Sequence, residues 1–138
     1  MNFELFEKYR QSNQYEKFSI LKDIIDSFEI TTLKFFIGSD KNIVSEYDGN
    51  TILHQACYSG CLECVKLILK FGIVGINQRD TLFRTPLHMA VLFGHDSIVQ
   101  YLLEMGAHRD SVLKTGETAL SLAKSRKNDK IINLLTEL

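Results

Sequence analysis

One pattern occurs three times along this chain, and it limits what the chain can become. The copies read GNTILHQACYSGCLECVKLILKFG from Gly49, FRTPLHMAVLFGHDSIVQYLLEMG from Phe83 and GETALSLAKSRKNDKIINLLTEL from Gly116. Thr51, Thr85 and Thr118 lie 34 and 33 residues apart. Leu53, Leu87 and Leu120 keep that spacing, as do Ala56, Ala90 and Ala123. So do the pairs Cys64-Val65, Ile98-Val99 and Ile131-Ile132. A period of this length marks stacked units of one supersecondary element each.

The middle copy shows what one unit does. The Thr85 hydroxyl is suited to capping a helix, and Pro86 then falls at the first helical position, where a missing N–H costs nothing. Leu87, Ala90 and Val91 recur at helical spacing and make one apolar face. Ala90 is small enough to let a neighbouring helix come close. Gly94 stands where the first helix must stop, a position that favours a left-handed backbone. A second helix follows, with Ile98, Val99, Leu102 and Leu103 on its inner face, and Met105-Gly106 ends it. One such pair cannot cover its own apolar face, so neighbouring copies must stack.

These residues resemble the ankyrin-repeat family. The resemblance rests on TPLHMAVLFGH with IVQYLLEMGA in the middle copy, and on GNTILHQACYSG with VKLILKFG in the first. It implies an all-α solenoid of helix-turn-helix units joined by short β-hairpin-like loops. Three repeats are expected at about 47–79, 80–112 and 113–138. The third departs from the pattern, with Ala119 for Pro, Ser121 for His and Lys127-Asn128 for Gly-His. Polar replacements of this kind suit a capping repeat with one face in water. Gly75 is expected to absorb one extra residue in GIVGINQRD.

Residues 1–46 match the pattern poorly and are expected to form a helical cap, a divergent first repeat. Asn13 with Glu16 three residues on makes a capping-box signal. Phe18, Leu21, Ile25 and Phe28 then mark an amphipathic helix. A short helix holding Phe3, Phe6 and Tyr9 is expected before it.

The constellation most suggestive of chemistry is His54, Cys57, Cys61 and Cys64, since zinc takes Cys and His in tetrahedral sets. Register argues against it. Cys57 replaces Val91 and Cys64 replaces Ile98, so both fall on packing faces, where free Cys acts as a small hydrophobe. Cys61 replaces His95 and is expected nearer the surface. His54 matches His88, and in the ankyrin family this His links neighbouring hairpins through hydrogen bonds. Recurrence in register suits that role better than catalysis, which needs one His beside a nucleophile. No phosphate loop, nucleophile elbow or paired-carboxylate motif occurs. No enzyme activity, metal or cofactor is expected.

A net charge of -1, with 24% charged and 45% hydrophobic residues, is ordinary for a globular domain and points away from nucleic acid and membrane surfaces. The start MNFELFEKYR lacks the basic and apolar regions of a signal peptide. Three crowded cysteines make a poor disulfide framework and suit a reducing compartment. The expected setting is the cytoplasm, with the nucleus, or a host cell for a delivered effector, also open.

The resemblance implies binding of another protein by a monomeric scaffold, with self-association as the alternative. Family contacts come from hairpin tips and the concave face of the first helices. By position, the first tip offers Glu46, Tyr47, Asp48 and Asn50, the second Asp80, Thr81, Leu82 and Arg84, and the third Lys114 and Glu117. The first helices offer Tyr58, Leu92 and Ser125. Phe83 stands where the other copies have Gly49 and Gly116. A turn position of this kind favours Gly, so this hairpin is expected to be distorted or to differ from the others. Two readings remain: Leu82 with Tyr47, Tyr58 and Leu92 forms an apolar anchor rimmed by Asp48, Asp80 and Arg84, or Phe83 folds back on Leu113 or another neighbour and Leu82 is one scattered surface Leu. The basic run KSRKNDK reads as a solvated face, an acidic-partner site or an import signal.

Overall fold

The computed structural model describes residues 2–137. Residues 1 and 138, the outer bounds of the expected cap and last repeat, lie outside that range. The described chain forms α1 (Phe3–Gln11), α2 (Gln14–Asp26), α3 (Ile30–Ser39), α4 (Ile52–Ser59), α5 (Leu62–Lys70), α6 (Pro86–Leu92), α7 (Asp96–Glu104), α8 (Ala119–Ser125) and α9 (Asp129–Thr136). Two short strands, β1 (Glu46–Tyr47) and β2 (Asn50–Thr51), pair antiparallel before α4. The fold is an all-α solenoid.

Each recurring Thr starts a first helix. Thr51, Thr85 and Thr118 have extended backbones, and their side chains accept the N–H of His54, His88 and Ser121. Helices α4 and α6 stop where Gly60 and Gly94 turn left-handed, at φ 83 and 73. Gly60 has a second constraint. A Cβ there would meet the His95 ring at 2.7 Å, so the next repeat closes over the turn. The first helices stack through Leu53, Ala56, Leu87 and Ala90, all buried. The second helices add Val65, Ile68, Val99, Leu102 and Leu135. Each large aliphatic side chain sealed in this way contributes about 2 kcal/mol.

Helices α2 and α3 form a fourth pair, stacked on α4 and α5. Asn13 and Glu16 close a reciprocal capping box at the start of α2. The turn after α2 puts Phe28 at φ 56, in the place of Gly60 and Gly94. Helix α1 packs its aromatic face on this pair, with Phe6 5.2 Å from Phe35 and 5.0 Å from Phe36, and Tyr9 5.3 Å from Phe36. Tyr9 is fully buried. Its hydroxyl donates to Asp40 Oδ2 at 3.0 Å and accepts the Val44 N–H at 3.1 Å. Burial pushes this hydroxyl well above its ordinary pKa, so it stays protonated and can donate. Tyr9→Phe leaves the Val44 N–H unpaired, and urea unfolding is expected to show a loss of about 1–2 kcal/mol. An unchanged midpoint would mean that the bond contributes nothing.

The extra residue lies in a turn from Gly75, where the Gln78 N–H reaches the Gly75 carbonyl at 3.1 Å. No described helix is long and apolar enough to cross a membrane.

The cysteines require two corrections. Cys61 and Cys64 form a disulfide, with Cα atoms 5.3 Å apart. Crowding does not prevent it, because Cys61 is the N-cap of α5 and an N-cap side chain folds over the residue three places on. The Cys61 sulfur also accepts the Cys64 N–H at 3.3 Å. Cys61 is only 2% exposed, not near the surface, and follows the Gly60 turn that the His95 ring closes over. Cys57 is a free, buried thiol whose pKa burial pushes up.

Candidate functional site

The site residues are held by hairpins that a buried imidazole joins. His54 Nε2 reaches the Arg84 carbonyl at 2.7 Å, and His88 Nε2 reaches the Ser111 carbonyl at 3.0 Å. Carbonyls only accept, so both Nε2 atoms carry the proton. Nδ1 faces the Thr51 hydroxyl in one repeat, and the Thr85 hydroxyl and N–H in the next. Desolvation holds both imidazoles below their ordinary pKa, and they are neutral near pH 7. Ser121 keeps the bond to the cap residue, its Oγ accepting the Thr118 N–H at 2.8 Å, but has no ring to reach further. His54 bonds the Thr51 hydroxyl and the Arg84 carbonyl, Cys61 and Cys64 bond each other, and Cys57 is buried apart as a free thiol. Among the described residues, no three His, Cys, Asp or Glu side chains converge as a metal site.

The second hairpin tip is built around Asp80. Its carboxylate accepts the N–H groups of Leu82 at 2.9 Å and Arg84 at 2.8 Å, and the Arg84 Nε–H at 2.6 Å. Burial alone would raise this carboxyl's pKa, but those donors outweigh it and hold it below the usual carboxylate range. Asp80 was expected as a contact, yet its side chain is 5% exposed and turned inward. This is a correction. A tip position tells where a residue sits, not where its side chain goes. Arg84 is tied to Asp80 in the same way and is one-third exposed.

Leu82 and Phe83 face solvent, at 51% and 45% exposure. Phe83 has φ 63, beside 81 at Gly49 and 87 at Gly116. The hairpin is not distorted. Phe83 donates its N–H to the Asp80 carbonyl as Gly116 does to Leu113. The ring does not fold back on the core. It stands between the Arg79 guanidinium at 5.6 Å and the Lys114 ammonium at 5.3 Å. Thr81 is exposed and packs against Gly49, where an added Cβ would come 2.6 Å from its Cγ2.

At the first tip, Glu46, Tyr47 and Asp48 are exposed and Asn50 is half-buried. The Tyr47 ring lies 5.4 Å from Tyr15 and 6.3 Å from Phe18. With Ser19, Lys22, Asp48 and Asn50 these rings line a cleft of about 300 Å³. At the third tip Lys114 and Glu117 are exposed. On the first helices Tyr58 is 47% exposed, Leu92 half-buried and Ser125 exposed. Tyr58 meets Phe93 edge-on at 4.6 Å.

The recurring units match a family model described as ankyrin repeats, three copies, over residues 24–112. The chain belongs to the ankyrin-repeat family. Among curated relatives, the human protein phosphatase 1 regulatory subunit 27 is 46% identical over 69 residues, 50% of this chain and 44% of that protein. The Drosophila melanogaster transient receptor potential cation channel subfamily A member 1 is 34% identical over 123 residues, 86% of this chain and 10% of that protein. The human palmitoyltransferase ZDHHC17 is 43% identical over 77 residues, 55% of this chain and 12% of that protein. The chain thus spans less than half the length of these ankyrin-repeat relatives.

Sequence reasoning missed several residues that join neighbouring units of this ankyrin stack. Tyr15 and Phe93 complete aromatic pairs with Tyr47 and Tyr58. Gln55 and Ser59 both donate to Asp26 Oδ1, the former at 2.7 Å, and join the cap to the first repeat. Their partners lie about one period away in the chain, so reading one copy at a time conceals them.

Proposed function

We propose that this ankyrin-repeat protein is a non-enzymatic binding module that docks a partner protein on its hairpin tips and concave face. The observation that carries the reading is Phe83. A bulky residue holds a left-handed backbone where the other copies use glycine, and nearly half of it stays open to solvent. Such strain costs about 1–2 kcal/mol, which the contacts of the ring with Arg79 and Lys114 only balance, so the fold gains nothing by the ring. Leu82 and Phe83 with Arg79 and Lys114 form an apolar centre with a cationic rim, a common make-up for an interface anchor. The frame beneath is rigid, so little ordering entropy is lost on binding.

A regulatory role fits the name of one relative, a regulatory subunit of protein phosphatase 1. The first candidate partner to titrate is therefore a protein phosphatase 1 catalytic subunit. The site itself is tested by placing a photo-crosslinking side chain at Leu82 or at Met105, the latter exposed at the end of α7. The partner is expected to crosslink from position 82 and not from 105. Crosslinking from 105 alone would remove the tip from the interface.

A further inference from the structure

The basic run spans the turn from the end of α8 into α9, and its Arg126 and Asn128 lie beside Phe93 of the exposed aromatic pair. Leu92, Phe93 and Gly94 at the end of α6 share a groove of about 360 Å³ with Arg126 and Asn128. Phe93 is 45% exposed, and Tyr58, its edge-on neighbour, is 47% exposed. Lys124, Arg126 and Lys127 are exposed at the same end of α8. Among the described residues, none of the three has a carboxylate within ion-pair distance, whereas Lys130 pairs with Asp96 at 2.5 Å. Asp129 is the one acid within the run itself.

We propose that this groove docks a short acidic segment of a partner protein. One aromatic or aliphatic side chain of that segment seats against Tyr58 and Phe93, and its carboxylates meet Lys124, Arg126 and Lys127. The inference rests on the reading of this protein as a protein-binding module and names the chemistry of the partner. Charge complementarity selects the occupant. Among the described residues, three cations without an ion-pair partner, one of them in the groove with Phe93, suit Asp or Glu flanking one large side chain. A long polyanion fits worse. The cap end of the same stack carries exposed Asp23, Asp26 and Glu29, and the net charge is -1, so a nucleic-acid strand running along the face would meet repulsion.

The experiment is selection from a random-peptide phage library on the whole protein, with a single-stranded oligonucleotide titrated in parallel. Selected peptides are expected to carry Asp or Glu around an aromatic or aliphatic residue. Their binding is expected to weaken with added salt. It should fall by about tenfold in Lys124→Glu/Arg126→Glu and also in Phe93→Ser, with each variant first shown to unfold at the wild-type temperature. Neutral or basic peptides, or affinity unchanged by the charge reversal, would overturn the proposal. So would oligonucleotide binding that the reversal abolishes while no acidic peptide is selected. Peptides lost on mutation of Leu82 but indifferent to Phe93→Ser would also overturn it and leave the protein-binding reading standing. Absence of any selected peptide, together with no crosslinked partner, would count against both.

Discussion

Replacing His54 by alanine is expected to cost about 3 kcal/mol in unfolding free energy, more than any surface change described above. The ring is fully buried and joins two hairpins 30 residues apart in the chain. Its removal strips the Arg84 carbonyl and the Thr51 hydroxyl of a partner and leaves a void between repeats. The Arg84 carbonyl belongs to the tip that also carries Leu82 and Phe83. Loss of the bond therefore loosens the proposed contact surface as well as the core. His54→Gln keeps a donor and is expected to recover part of the loss. Urea unfolding of the three proteins at neutral pH measures the effect, and equal midpoints would show that the imidazole is a passive filler.

The same geometry sets a pH dependence. Burial lowers the pKa of His54 and His88 in the folded state relative to the unfolded chain. Below the ordinary imidazole value of about 6.5 the unfolded chain binds more protons, so stability falls as pH drops. Above that value the contribution is complete. The reason is local. A second proton on His88 would place an N–H against the Thr85 N–H, now 3.0 Å from Nδ1. Carboxylates such as Asp80, held low by Arg84, add their own loss only further into acid. A variant with both histidines replaced is expected to lose the slope between pH 7 and 5. A slope that survives would assign it to other groups.

Particular residues show where sequence reasoning reached and where it stopped. Thr85, Pro86, Ala90 and Gly94 each meet a local backbone or packing demand, so their spacing alone marks cap, helix, contact face and stop. The His54 and His88 bridges came from family resemblance, because nothing in one copy says which carbonyl the ring will find. Asp80 deceived because a hairpin needs an internal acceptor as much as a partner needs a contact. Cys61 deceived because the Gly60 turn beside it is closed over by His95 of the next repeat. Tyr15 and Phe93 went unseen for the same cause. Pairing between repeats depends on how the stack places neighbouring turns, and a linear reading carries that only weakly.

Phe83→Gly is expected to leave stability within about 1 kcal/mol of wild type while lowering partner affinity by about 30-fold, or about 2 kcal/mol. The first half follows from two opposed terms. Glycine relieves a left-handed strain of about 1–2 kcal/mol at φ 63. It also forfeits two exposed cation–aromatic contacts, with Arg79 and Lys114, of about 0.5–1 kcal/mol each. The sum is near zero, so the fold gains nothing by keeping the phenyl ring there. The second half follows from placement. The ring is the widest apolar group on the tip, and the hydrogen bonds to Asp80 hold its backbone rigid. A partner that covers it gains its burial at little ordering cost. Thermal unfolding and partner titration of one protein pair decide the matter. Lost affinity with retained stability assigns Phe83 to the interface. Lost stability with retained affinity would make it a structural residue and move the anchor to Leu82 or to the Tyr58–Phe93 pair.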